Sequence, residues 1–271
     1  MINSTDGPFF IASPGSAHAY TARAMAEPTA RTQHAGNLKA LILAAGRGVR
    51  MRPLTDHTPK PLLVVRGKAL IEWHLLALAA AGVRDVVINT AWLEDQFPAA
   101  LGDGSRFGVR IAYSLEGRDH GGALETAGGI ANALPLLAAQ GNDCFWVVSG
   151  DVFLPGFVFD AAFAQRFAAG SMSAHLWLVP NAAHHPQGDF GIDAQGLAVA
   201  DAPQRRTWAS VGLFRAAMFE GVAIGTKLPL RPLLDDGIAQ RRISAQAWDG
   251  EWTDVGSVER LQALNAERDR P

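Results

Sequence analysis

The sequence predicts an α/β fold built on a mixed, mainly parallel sheet flanked by helices. Three observations predict it. Short aliphatic runs such as KALILA (residues 39–44) and CFWVVSGD (residues 144–151) alternate with longer helical patterns. The two loops richest in glycine and charge follow such runs, and the composition is ordinary for a globular chain, with 48% apolar and 18% charged residues.

The elements follow in order from Leu38. KALILA reads as a strand, LIEWHLLALAAAG as a helix that stops at Gly82, and DVVINT and FGVRIAYS as two more strands. A helix through TAGGIANALPLLAAQG then leads into the strand CFWVVSGD. This β-α-β order implies parallel strands whose carboxyl ends face the ligand. In the second half, SAHLWLV, FGIDAQGLAVAD and WASVGLFR read as strands with tight turns, LPLRPLLDDGIAQRR as a helix, ISAQAWDGEWTDVGS as a strand and SVERLQALNAERD as the last helix. No internal repeat is visible. Residues 38–271 are therefore read as one catalytic domain with a substrate-binding lobe in its second half. Residues 1–37, rich in Ala, Ser, Thr, Pro and Gly without a sustained period, are read as a disordered leader or tag.

Composition excludes several classes. A formal net charge of -2 argues against a nucleic-acid binder, so any anionic ligand must be held by locally placed cations. The single cysteine, Cys144, permits no intramolecular disulfide and no thiolate metal cluster, which fits a reducing cytoplasm. No apolar run reaches the ~18 residues of a membrane span. The PFFIA patch near the start lacks the basic flank of a signal peptide.

The chemistry concentrates in LILAAGRGVRMRPLTDHTPKPLL, residues 41–63. Gly46 and Gly48 are expected to turn the backbone with positive φ and to present N–H groups to an anion. Arg50 offers a fork for phosphate oxygens, and Lys60, between Pro59 and Pro61, offers a point charge on stiffened backbone. Such a loop suits a triphosphate. It fails the dinucleotide fingerprint, because Met51 stands at the third glycine position, and it lacks the G-K-[ST] of a P-loop.

This stretch resembles the signature of the sugar-1-phosphate nucleotidyltransferases, L-A-A-G-x-G-x-R-[LM]-x-P-L-T followed by x-P-K-P-[LM]. Val49 is the one departure, at a position where many members carry Thr or Ser. The resemblance continues through VVIN, GDGSRFG, LETAGGI, VVSGDVF and WTDVGS, and so spans residues 38–262. It implies the nucleotide-diphospho-sugar transferase fold, a Rossmann-like sheet, and a magnesium-dependent reaction of a nucleoside triphosphate with a sugar 1-phosphate. By resemblance Gly48, Val49, Arg50 and Lys60 hold the phosphates, while Ala44, Ala45, Gly46, Thr126, Gly128 and Ser149 enclose the nucleotide. Asp151 and Asp254 match the metal-binding aspartates, and Arg50, Lys60, Asp151 and Asp254 form the catalytic set. Mg2+ suits such a site, since it favours carboxylate and phosphate oxygens.

LETAGG, where many glucose and mannose enzymes have L-G-T-A, is similar to the short uridylyltransferases that act on N-acetylmuramate 1-phosphate in peptidoglycan recycling. LVPNAAHHPQGDF is similar to their V-x-N-P-x-H-H-x-x-G-D-F element, which implies Asn181 and Asp189 as sugar contacts and UTP as the favoured nucleotide. Mannose 1-phosphate guanylyltransferases and glucose 1-phosphate uridylyl- or thymidylyltransferases stand next. A regulatory subunit that binds nucleotide sugars without catalysis is the alternative from another class. His184 and His185 are adjacent and lack a third partner, so they are read as loop packing or sugar-pocket lining rather than as zinc ligands. The family's E-K-P lysine is absent from VADAPQRRTWASVG, where Arg205 or Arg206 either supplies that charge or forms a solvated pair.

Overall fold

The computed structural model describes residues 38–138 and 143–266. The expected leader, residues 1–37, lies outside them. Strand β1 (Lys39–Leu43) runs into the signature loop, and the short hairpin β2 (Val64–Val65) and β3 (Lys68–Ala69) leads to helix α1 (Leu70–Ala80). Strand β4 (Asp85–Thr90), helix α2 (Gln96–Leu101), strand β5 (Arg110–Leu115) and helices α3 (Glu116–His120) and α4 (Glu125–Leu137) follow. Then come β6 (Cys144–Ser149), β7 (Val152–Phe153), α5 (Ala161–Ala169), β8 (Ala174–Val179) and the hairpin β9 (Gly191–Ile192) and β10 (Ala198–Val199). The chain continues through β11 (Thr207–Arg215), α6 (Arg231–Ala239), β12 (Ile243–Ala247), β13 (Thr253–Asp254) and α7 (Val258–Ala266).

Seven strands form one sheet in the order β12, β8, β11, β6, β1, β4, β5. The pairs β6–β1, β1–β4, β4–β5 and β12–β8 are parallel, and β11 alone runs antiparallel to both neighbours. The predicted mixed, mainly parallel sheet is therefore present, and β8, β11 and β12 from the second half complete it.

Because the sheet is covered on both faces, its inner strands are apolar at nearly every position rather than at every second one. Ile42, Ile88, Trp146, Val148 and Trp177 pack on one side against Ile71 and Leu75 of α1, Phe97 of α2 and Phe167 of α5. The alternate residues Leu41, Val87, Phe145, Val147 and Leu176 meet Ile130 and Leu137 of α4 and Leu234 of α6 on the other. Each such side chain contributes roughly 1.5–3 kcal/mol when fully buried. A smaller cluster joins Met51 of the signature loop to Val65, Leu70, Phe153, Val255, Leu261 and Leu264, so α7 clamps that loop from outside the sheet.

One sequence expectation changes in detail. The run ISAQAWDGEWTDVGS is two strands, since β12 ends at Ala247 and β13 occupies only Thr253–Asp254 in a separate pairing with β7. Between β5 and α4 the chain also forms the short helix α3, which starts at Glu116 directly after β5. Among the described residues no helix is long and apolar enough to cross a membrane.

Two histidines are buried in this frame. His74 on α1 and His175 on β8 are 2% and 4% exposed, and burial lowers both from 6.5 to about 4. For His74, a backbone hydrogen bond with Val152 and the charge of Asp151 oppose that shift, and for His175 a hydrogen bond with Gln246 does. Both are neutral in the fold but titrate at their ordinary value when unfolded. The unfolded chain thus binds more protons between pH 6.5 and 4, and stability falls as pH drops through that window. Chemical denaturation at pH 5 to 6.5 should show a slope of about 1.4 kcal/mol per pH unit for each histidine near the middle of the window. His175→Leu should remove one such increment, and an unchanged slope would refute the assignment.

Candidate active site

The parallel strands β4, β1 and β6 end at one edge of the sheet, and the loops leaving them surround a cavity of about 360 Å³. Its walls include Ala44, Ala45, Gly46, Arg47 and Gly48 after β1, Asn89 near the end of β4, Ser149 at the end of β6 and Asp151 just beyond it. Ala123, Glu125 and Thr126 close it at the start of α4, and Lys60 and Pro61 close it from the signature loop.

The signature loop takes its shape from Gly48, whose φ of 65° is left-handed. The Gly48 carbonyl accepts hydrogen bonds from Met51 N at 2.9 Å and Thr55 Oγ1 at 2.9 Å, which tighten the turn. Gly46 differs from expectation. It does not adopt positive φ, and a β-carbon there would meet no atom within 4 Å, so its smallness leaves open space beside the cavity.

Lys60 Nζ donates to Asp151 Oδ2 at 2.6 Å, joining motifs 91 residues apart. The lysine side chain is 10% exposed and the aspartate 38%, so water screens the pair only in part. Asp254 reaches the same region through β13. Thr253 and Asp254 pair with Phe153 and Val152, and Val255 N donates to Asp151 O at 2.9 Å. Of the two aspartates predicted to share a metal, Asp254 thus lies on β13 and Asp151 immediately precedes its partner strand β7.

Asp254 borders a second cavity of about 260 Å³, lined also by Ala182, His184, Trp252, Arg260 and Leu264. Its Oδ1 lies 2.6 Å from Arg260 Nη1 and 2.9 Å from His184 Nε2. Asp151 therefore lines one cavity and Asp254 the other, and the β7–β13 pairing joins the segments that carry them. Magnesium keeps several waters and takes one or two carboxylates together with phosphate oxygens, so this donor set fits it. Among the described residues no group of three or more His, Cys, Asp or Glu is arranged as a self-sufficient metal site.

Other predicted residues are distributed less evenly. Arg50 and Val49 lie exposed on the 3-10 turn Val49–Met51, outside the residues that line the first cavity. Gly128 is buried in α4, where its N–H donates to Leu228 O at 3.0 Å and its missing side chain admits the Thr226 carbonyl. Asn181 uses Nδ2 on the carbonyls of Pro186 and Arg205 and accepts from Thr207 Oγ1, while Asp189 accepts from Trp208 N and pairs with His185. Both side chains hold their loop together. Arg206 pairs with Asp249 at 2.6 Å, and Arg260 is the cation beside the second cavity.

Several lining residues escaped the sequence reading. Arg47 stacks over Trp92 at 4.2 Å, and Trp92 Nε1 in turn donates to Thr55 O. Glu125 opens α4 with a left-handed φ of 62°. Arg47 occupied a variable motif position and Arg260 no motif at all. Asn89, within the quoted VVIN, reads by its pattern only as the end of a strand.

A glycine-rich loop with cations at the carboxyl edge of a parallel sheet is an arrangement in which α/β proteins hold phosphorylated ligands. Comparison with known proteins narrows this. The chain belongs to the nucleotidyl transferase family, which it matches over residues 39–269. It is 50% identical to an N-acetylmuramate alpha-1-phosphate uridylyltransferase of Neisseria meningitidis serogroup B, over 84% of this chain and 97% of that protein. A protein of the same description from Caulobacter vibrioides is 34% identical over 84% of this chain and 95% of its own length. A Bacillus anthracis structure described as a glucose-1-phosphate thymidylyltransferase superposes with a TM-score of 0.71, over 86% of this chain and 96% of that one. At 22% identity it speaks for the fold alone.

Gly48→Ala should lower stability by about 1–2 kcal/mol, because a side chain in the left-handed region is strained and its β-carbon would lie 3.0 Å from Thr55 Cγ2. Gly46→Ala should leave the urea midpoint unchanged. Equal midpoints for the two variants would overturn this account of the loop.

Proposed function

We propose that the protein is a magnesium-dependent uridylyltransferase that converts UTP and N-acetylmuramate 1-phosphate into the UDP-sugar and pyrophosphate. The observation that carries the reading is the Lys60–Asp151 pair on the wall of the first cavity, with Asp254 on the wall of the second tied to the same segment by the β7–β13 pairing. A nucleotide in the first cavity and a sugar phosphate in the second would bring two anions together at that pairing. The two uridylyltransferase relatives, each spanned over almost its whole length, supply the choice of base and sugar.

In the reaction an oxygen of the sugar phosphate attacks the α-phosphorus of the nucleotide. A new P–O bond forms, and the bond to the bridging oxygen breaks, so that its electron pair leaves with pyrophosphate. The attacking oxygen is already ionised at neutral pH, so no general base is required. Asp151 and Asp254 would hold a magnesium ion, which would supply charge neutralisation for the reacting phosphates. Lys60 carries the cation closest to Asp151 and would serve the phosphates from the signature loop, with Arg47 and Arg50 at its rim. The backbone of Ala44 to Gly46 and of Thr126 would flank the nucleotide. Arg260, already beside the second cavity, is the leading replacement for the absent E-K-P lysine. A cytoplasmic role in peptidoglycan recycling follows from this substrate pair.

Pyrophosphate release should be measured for UTP, GTP, dTTP and CTP crossed with the 1-phosphates of N-acetylmuramate, N-acetylglucosamine, glucose and mannose. UTP with N-acetylmuramate 1-phosphate should dominate, and EDTA should abolish the signal. Asp151→Asn and Asp254→Asn should each lower kcat by about 100-fold or more with the urea midpoint retained. Dominance of GTP with mannose 1-phosphate would overturn the substrate assignment, and nucleotide binding without turnover would favour a regulatory subunit.

A further inference from the structure

Beneath the first cavity lies a carboxylate that the proposed reaction does not use. Glu116, the first residue of α3, is 0% exposed. Its Oε1 accepts from Asn89 Nδ2 at 2.7 Å and its Oε2 accepts from Leu124 N at 2.9 Å. Asn89 Oδ1 accepts in turn from Ala44 N at 2.8 Å. The orientation of the Asn89 amide is dictated chemically. A backbone N–H on one side can only donate and an ionised carboxylate on the other can only accept, so the oxygen must face Ala44 and the nitrogen Glu116.

This bridge has a place and a cost. Ala44 begins the signature loop, and Leu124 immediately precedes Glu125 and Thr126 on the opposite wall of the cavity. Space for it is kept by Gly129, where a β-carbon would lie 2.6 Å from Asn89 Nδ2 and 2.7 Å from Glu116 Oε1. Burying a carboxylate is unfavourable, and burial pushes the Glu116 carboxyl above its ordinary value even though the bonds from Leu124 and Asn89 act the other way. A neutral side chain would fill the same volume without that cost, but it would not present two acceptors to two fixed N–H donors.

We propose that Glu116 is a positioning residue that sets the spacing between the two walls of the nucleotide cavity, through Asn89 to Ala44 and directly to Leu124. The inference rests on the nucleotide reading of that cavity. Its effect belongs to the nucleotide and not to the sugar phosphate, because neither wall it holds borders the second cavity.

The network admits an exchange test. In Glu116→Gln alone, two donors face each other or the bond to Leu124 is lost. In Asn89→Asp alone, two carboxylates face each other. In the double variant Asn89→Asp with Glu116→Gln, every donor again meets an acceptor: Ala44 N and the glutamine amide donate to the new aspartate, and Leu124 N donates to the glutamine oxygen. Steady-state pyrophosphate release should show the nucleotide KM raised about ten-fold or more in each single variant, with the sugar 1-phosphate KM within about two-fold of wild type. The double variant should recover most of the loss. If one single variant does not fold, the other single variant and the double variant still carry the comparison. Single variants with wild-type nucleotide KM, a double variant no better than the singles, or equal losses for both substrates would overturn the inference. Wild-type protein without nucleotide-dependent pyrophosphate release would instead overturn the functional reading and this inference with it.

Discussion

The parallel alignment of β1 between β4 and β6 is the constraint on which the rest of the structure depends. Parallel neighbours need crossover connections, so helices must cover both faces, and the inner strands must be apolar on both sides. The same alignment delivers the ends of three strands to one edge. Gly150 N donates to Leu43 O at 2.8 Å, Asn89 Oδ1 accepts from Ala44 N, and the cavity forms where these three strand ends open. Its position thus follows from how the core is built.

Electrostatics then follow from placement rather than from net charge. The chain carries a formal charge of -2, yet Arg47 and Lys60 line the first cavity and Arg260 the second. Two of these cations already face the site's own aspartates, Lys60 on Asp151 and Arg260 on Asp254. Such pairing holds long side chains in one rotamer at partly screened positions, where an ion pair alone contributes little stability. What it contributes is geometry, since it restricts the orientation of the two cations at the cavity walls.

Much of the fold was legible because its signals are local. The β-branched run DVVINT and the aliphatic KALILA fit only buried strands, and Gly82, with φ 84°, stops α1 where the pattern ends. The signature loop was legible for the same reason, since Gly48 and Thr55 act within eight residues of each other. The break between β12 and β13 was not. Trp248 and Trp252 continue an apolar pattern that reads as strand, and only the hydrogen bond from Trp252 Nε1 to Ala209 O and the pairing of Thr253–Asp254 with β7 divide it.

By itself the sequence determined the class of fold and the glycine- and cation-rich loop, because backbone turns, charge and continuous apolar runs are written in consecutive residues, whereas Asp151 and Asp254 were singled out by resemblance to a family. Tertiary structure alone decided which side chains share a cavity. It brought Arg47 to the wall and left Arg50 on an exposed turn, turned Asn181 and Asp189 into loop ties, and set Arg260 beside Asp254. It also buried Glu116 behind Asn89. The ties of Asn181 and Asp189 and the burial of Glu116 depend on contacts between residues 19 to 27 positions apart, whose geometry is settled only when the strands align.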